Sequence, residues 1–281
     1  MMNEHELKIA EQLLNMALDE DVSTGDITTD NLIPYELRRN AYWIAKADGI
    51  VAGLQIAEMC FRHFDPELAW NVLLDDGQKV KKGDIIVRFS ASYRALLTGE
   101  RTALNFVQRL SGIATAAAVY ANAVTGTNTK ILDTRKTLPG FRLLDKYAVK
   151  TGGAANHRIG LFDMVMIKDN HIDIAGGISP AVRQIRASVA PEIKIEVETT
   201  NLEQVKEALE ARADIIMLDN MDNATMSEAV KLIRGQAKVE ASGNMTLERL
   251  PGVAATGVDY ISIGALTHSV LALDISQRIE A

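Results

Sequence analysis

The sequence predicts an α/β chain whose later half forms an open, incomplete (β/α) barrel. Two observations predict it. Short apolar runs at 131–132, 164–167, 193–197, 215–218, 239–241 and 260–263 alternate with helical segments, and the last four start about 22 residues apart, the length of one strand–helix unit in a parallel architecture. Every run also ends in polar or small residues, where such barrels carry their reactive groups. No G-x-G-x-x-G follows a strand and no P-loop is present, which disfavours a dinucleotide fold.

In order, residues 4–20 read as a helix, because Leu7, Ala10, Leu14 and Leu18 recur at helical spacing. The stretch D-V-S-T-G-D-I-T-T-D-N is a loop by composition. Residues 38–48 read as a strand, 54–63 as a helix, 69–74 as a strand, and D-D-G-Q-K-V-K-K-G-D-I-I-V-R-F as two short strands around glycine turns. That turn superficially suggests a lipoyl or biotin carrier, but Lys79, Lys81 and Lys82 lack the tight-hairpin context such a module needs. Residues 93–123 read as one long helix with an apolar stripe of Leu96, Leu97, Leu104, Val107, Leu110 and Ile113. The first third is therefore mixed α+β. Helices are expected again at 202–211, 224–234 and 246–255, between the later strands.

The chain has 281 residues and a net charge of −7, so a general nucleic-acid or membrane-surface binder, which needs a basic face, is disfavoured. No apolar run approaches the ~20 residues of a membrane span, and the N-terminus has no signal-peptide pattern. The single cysteine, Cys60, excludes an internal disulfide and fits a reducing cytoplasm.

Against that acidic background, cations crowd between Asp133 and His171. Arg135 and Lys136 follow one apolar run, His157 and Arg158 follow a Gly-Gly-Ala-Ala-Asn loop, and Lys168, Asn170 and His171 follow another run. So many cations beside buried strands imply a ligand with several negative charges. His171 reads equally well as a cap, and His5 and His63 carry no signal. The next strand ends supply carboxylates, Glu198 and Asp219. The last supply Ser242-Gly243-Asn244 and Ser262, Gly264 and Ala265. Glu196 alternates with Glu198 on one strand face. Two carboxylates suit Mg²⁺ held partly by substrate oxygens, and small-residue turns suit a phosphate. Phosphoribosyl pyrophosphate beside an acidic acceptor fits that combination.

The segments D-T-R-K-T-x-P-G-x-R, K-Y-A-V-K-x-G-G-A-x-N-H-R-x-G-L-x-D and I-K-D-N-H resemble the quinolinate phosphoribosyltransferase (nicotinate-nucleotide diphosphorylase, carboxylating) family. The resemblance continues through I-E-V-E, I-I-M-L-D-N-M, E-A-S-G-N and I-S-I-G-A-L-T-H-S, and takes in D-V-S-T-G-D-I-T-T and the G-E-R-T-A-L-N-F helix. Leu138 and Thr199 depart from the family pattern, neither at a site position.

The resemblance implies an N-terminal α/β sandwich over 1–112, with the tail 268–281 packing on it, and a catalytic open α/β barrel over 113–267. It implies a homodimer or a larger assembly of dimers with shared active sites, in which Arg101 reaches the neighbour's site; spacing alone reads Arg101 as a solvated helix residue. It implies quinolinate and pyrophosphate contacts from Thr134, Arg135, Lys136, His157, Arg158 and Lys168. Glu198 and Asp219 then serve ribose and Mg²⁺, and Ser242, Gly243, Asn244, Ser262, Gly264, Ala265 and His268 seat the 5-phosphate. Lys136, Lys168, Glu198 and Asp219 are the expected catalytic residues. The competing readings are a Schiff-base lyase using Lys168 and a phosphoribosyltransferase with another acceptor, such as nicotinate.

Overall fold

A computed structural model describes residues 1–280. The first elements are α1 (Glu4–Asp21), α2 (Thr29–Leu32), β1 (Arg38–Ala45), β2 (Gly49–Ile50), α3 (Leu54–Phe64), β3 (Ala69–Val72), β4 (Lys79–Val80) and β5 (Ile85–Ser92). Then come α4 (Tyr93–Thr98), α5 (Glu100–Asn122), β6 (Lys130–Leu132), α6 (Arg142–Thr151), β7 (Val165–Ile167), α7 (Asp169–Ala175) and α8 (Ile178–Arg186). The remainder is β8 (Ile195–Thr199), α9 (Leu202–Glu210), β9 (Ile215–Asp219), α10 (Asn223–Ile233), β10 (Lys238–Ser242), α11 (Leu250–Ala254), β11 (Tyr260–Ser262), α12 (Ala265–His268) and β12 (Ile275–Ile279). Among the described residues no helix is long and apolar enough to cross a membrane.

The chain falls into two compact units. One comprises Met1–Ala118, Thr137–Gly153 and Leu266–Ala281; the other comprises Val119–Lys136 and Ala154–Ala265. The first holds an antiparallel sheet of order β12-β1-β5-β3. Its core is aromatic: Trp43 meets Phe61, Trp70 and Phe89 edge-on, with ring centroids about 6 Å apart. The indole N–H of Trp43 donates to Gln277 at 3.1 Å, and the Gln277 amide donates to the Leu96 carbonyl at 2.8 Å, which ties the edge strand β12 to the core beside β1.

Two expectations change here. The helix expected over 93–123 is divided at Gly99 into α4 and α5, whereas Gly112 stays buried within α5. Residues 137–153, assigned from sequence to the second domain, belong to the first unit. Buried Asp145 on α6 pairs with Arg109 at 2.9 Å, and the Tyr147 hydroxyl donates to Asp76 at 2.6 Å. Gly152 permits the close approach of α6, since a Cβ there would lie 2.1 Å from the Ala114 carbonyl oxygen.

The second unit is a six-stranded parallel sheet of order β6-β11-β10-β9-β8-β7, an open barrel. Helices cover its outside and side chains fill its inside, so β9 is apolar on both faces and buried but for its last residue, whereas β8 and β10 carry the buried Glu196 and Glu240. Asn201 and Asp222 cap α9 and α10 by accepting the N–H groups of Gln204 and Thr225 at 2.9 and 2.8 Å. All six parallel strands therefore run toward one rim.

Candidate active site

The rim encloses a cavity of about 490 Å³ lined by residues of the second unit only. After β6, Thr134, Arg135 and Lys136 line it, and the Thr134 hydroxyl accepts the Lys136 N–H at 3.1 Å. Arg158 reaches it from the following loop, anchored by a hydrogen bond from its guanidinium to the Met164 carbonyl at 3.0 Å. Asp163 shapes that loop by accepting the N–H groups of Ile159 and Gly160 at 2.7 and 2.9 Å. Burial, and then the charge of Arg135, depress the pKa of Arg158 below its usual value; the guanidinium stays charged, and an anion between the two relieves the repulsion.

Lys168, at the end of β7, is ion-paired with Glu198 at the end of β8. Asp219 ends the neighbouring strand β9 and accepts a hydrogen bond from the Asn220 amide at 2.8 Å. Asn244 donates in turn to the Asn220 side-chain oxygen at 3.0 Å. Gly243 sits under this chain with φ 85°, and a Cβ there would lie 2.2 Å from that oxygen. Arg249 donates to the Gly243 carbonyl at 3.3 Å and also to that of Met221, tying together the loops after β9 and β10.

Of the expected residues, Thr134, Arg135, Lys136, His157, Arg158, Lys168, Glu198, Asp219, Ser242, Gly243, Asn244 and Ser262 converge on this one cavity. Gly264 and Ala265 are not among its lining, and Arg101 and His268 belong to the first unit. His171 caps α7 by accepting the Lys168 N–H at 3.0 Å. Sequence reasoning missed Met166, Met217 and Glu240, which also line the cavity with Asn220, the polar residue next to Asp219 at the end of its strand. The two methionines offer polarisable apolar surface of the kind a flat ring packs on.

Beneath the cations lies a buried trio. His157 Nε2 is 3.2 Å from Glu196 and 3.4 Å from Glu240, and both carboxylates are almost wholly inaccessible. Burial pulls the imidazole pKa down, but the two carboxylates more than offset it and raise it to about 10. Burial, reinforced by Glu240, likewise pushes Glu196 up to about 7. The Arg158 N–H, however, donates to His157 Nδ1 at 2.7 Å and leaves no place for a second ring proton. The backbone amide is fixed whereas either carboxylate can take up a proton, so geometry decides: the ring carries its proton on Nε2 and the additional proton resides on the carboxylates.

Two family models match the chain: the quinolinate phosphoribosyl transferase N-terminal domain over residues 26–111 and the C-terminal domain over 113–278. The chain belongs to the quinolinate phosphoribosyltransferase family. A family relative from Synechocystis sp., a probable nicotinate-nucleotide pyrophosphorylase (carboxylating), is 46% identical over 96% of this chain and 92% of its own. A chloroplastic counterpart from Arabidopsis thaliana is 47% identical over 95% and 82%. The solved nicotinate-nucleotide pyrophosphorylase of Francisella tularensis superposes with a TM-score of 0.94 at 41% identity, covering 97% of this chain and 96% of that one. The two-part α/β architecture is thus the family's.

Proposed function

We propose that this chain transfers the phosphoribosyl group of phosphoribosyl pyrophosphate to quinolinate with decarboxylation, giving nicotinate mononucleotide, pyrophosphate and CO₂ in NAD biosynthesis. The observation that carries it is the division of one cavity into a cationic wall, a carboxylate centre and a small-residue turn. Quinolinate brings two carboxylates; Arg135 and Arg158 present forks that suit them bidentately, and Lys136 and Lys168 add point charges. The ribose hydroxyls fall to Glu198 and Asp219, and the 5-phosphate to Ser242, Gly243, Asn244 and Ser262.

Mg²⁺ suits the hard oxygen donors that Glu198 and Asp219 provide on adjacent strands, the remainder coming from substrate and water; when bound it would neutralise charge on the departing pyrophosphate. The chain's own residues do the rest. The pyridine nitrogen lone pair forms a bond to the anomeric carbon as the bond to pyrophosphate breaks. The sugar passes through an oxocarbenium-like state, whose positive charge Glu198 and Asp219 stabilise. The electron pair left when the adjacent carboxylate departs as CO₂ stays on the ring carbon, where the neighbouring cationic nitrogen stabilises it until that carbon takes up a proton. No covalent nucleophile is needed, so Lys168 acts as a charge contact.

The same reading makes the active assembly a homodimer or an assembly of dimers, with residues 1–112 and the tail 268–281 forming the covering domain and the barrel part of 113–267, without the 137–153 segment that packs in the first unit, the catalytic one. Arg101, exposed at the start of α5, then completes a partner's cavity. It also assigns the chain to the cytoplasm, in keeping with its buried, unpaired Cys60. The test is release of labelled CO₂ from quinolinate in the presence of phosphoribosyl pyrophosphate and Mg²⁺, with stoichiometric pyrophosphate. No CO₂ from quinolinate, or turnover of nicotinate instead, would sink the assignment.

A further inference from the structure

The floor of the cavity holds two groups that the chemistry above leaves unused. Glu196 lies two residues before Glu198 on β8, and Glu240 two residues before Ser242 on β10, so each faces the barrel interior one layer below the rim. Both are at most 1% exposed, and among the described residues none of their four carboxylate oxygens makes an aligned hydrogen bond. Leaving two carboxylates in that state is costly unless their charge serves a neighbour. The neighbour is His157, whose Nε2 edge points between them at 3.2 and 3.4 Å.

The other edge of the ring is equally committed. Nδ1 accepts the backbone N–H of Arg158 at 2.7 Å, and the backbone N–H of His157 donates to buried Asp133 at 2.9 Å. An accepting Nδ1 fixes the tautomer with the proton on Nε2. Neither ring nitrogen is then left for a substrate carboxylate. The three side chains bring ligand atoms within 4.8 Å of one another, the spacing of a metal seat. A metal on Nε2 would drive the ring proton to Nδ1, against the Arg158 N–H, so the arrangement favours a proton between the groups.

We propose that Glu196 and Glu240 are positioning residues: they clamp the Nε2 edge of His157, and the clamped ring fixes the backbone at Arg158 so that its guanidinium meets the substrate dicarboxylate. His157 is then the strut of the anion grip, and Arg135 and Arg158 are the grip itself. One carboxylate would leave the ring free to swing toward it; two, on strands separated by β9, hold it centred. The proposal rests on the quinolinate reading only in naming the substrate whose binding suffers.

The test is ¹⁵N NMR of the histidine-labelled enzyme, with its five histidines, combined with kinetics of Glu240→Gln and Glu196→Gln. One histidine, identified by its loss in His157→Gln, should show a bare Nδ1 and a protonated Nε2, and neither signal should move when quinolinate binds. Each glutamine variant should shift that signal and raise KM for quinolinate about tenfold, the scale typical of partners that orient a ligand, with KM for phosphoribosyl pyrophosphate unchanged. Glu240→Asp should recover part of the loss. Wild-type KM in both glutamine variants, a His157 nitrogen that shifts on adding quinolinate, or a stoichiometric metal whose chelation moves the signal would each overturn the proposal. Absence of turnover with quinolinate sinks the functional reading alone, because the tautomer and its response to Glu240→Gln are read on the free enzyme.

Discussion

At the scale of single residues, charge explains most of what the cavity can do. Arg158 combines a fork with an anchor on the Met164 carbonyl. Arg158→Lys keeps the charge and loses the fork, so KM for quinolinate should rise by tenfold or more, corresponding to about 1.5–3 kcal/mol for hydrogen bonds to a charged group. Initial-rate kinetics with each substrate varied should leave KM for phosphoribosyl pyrophosphate unmoved. The buried trio makes a second prediction. His157 has a side chain only 6% exposed and a folded-state pKa raised to about 10, above the value near 6.5 it has when unfolded. The native trio therefore holds up to one proton more than the unfolded chain between those pH values, wherever among the three groups that proton sits. That proton's contribution is fully present at about pH 6.5 and is lost as pH rises toward 10, while Glu196, pushed up to about 7, adds a further share as pH falls below 7; each proton carries a slope of at most about 1.4 kcal/mol per pH unit. Urea melts at pH 6.5, 8 and 9.5 should show stability falling across the series, and Glu240→Gln, which removes a carboxylate that raises both partners, should flatten it. Much of this residue-level picture is legible in sequence. Polar groups after apolar runs mark Arg135, Lys168, Glu198 and Asp219 directly. Depth is not: Glu240, inside the run V-E-A, reads as an ordinary strand residue until three-dimensional packing puts it against His157.

At the scale of elements, the long periodic segments were readable and the short ones were not. Helices α1, α3, α9 and α10 declare themselves by apolar spacing and caps. Helices α6, α7 and α8 do not, because the glycines that bound them, at 152, 153, 176 and 177, interrupt the periodicity. Strand β8 begins at Ile195, two residues later than the apolar run suggests, which brings Glu198 into the strand rather than after it. Strand β12 was invisible, since its stability comes from pairing with β1 far away in sequence. The loops after β9 and β10 show why particular residue types are needed. Asn220 and Asn244 both have positive φ, at 54° and 48°, and asparagine tolerates that conformation better than most residues. Gly243 lies between the two side chains with φ 85°. Gly243→Ala should add about 1–3 kcal/mol of strain, displace Asn220 and with it the hydrogen bond to Asp219. Kinetics should show KM for phosphoribosyl pyrophosphate raised and that for quinolinate little changed. Equal effects on both would contradict a phosphate seat in this turn.

At the scale of the whole molecule, the open barrel accounts for a cavity reached from one rim, while the first unit contributes a separate antiparallel core. The barrel was legible because strand–helix repeats recur at regular length. The allotment of residues 137–153 was not, because it depends on the pairing of Asp145 with Arg109 and of Tyr147 with Asp76, partners distant in sequence. The proposed sharing of sites between subunits gives this scale its own test. Arg101→Ala and Arg158→Ala should each be nearly inactive as homodimers. In a mixed dimer, the barrel of the Arg101→Ala chain keeps its own Arg158 and receives an intact Arg101 from its partner. Its twin cavity carries both defects. Random exchange of equal amounts makes half of the dimers mixed, each with one of two sites intact, so activity should recover to about a quarter of wild type by the symmetry of a two-fold dimer. Recovery should follow the kinetics of subunit exchange and vanish when the mixed chains are kept from dissociating. If exchange is complete by mass spectrometry and no activity returns, Arg101 serves its own chain or none.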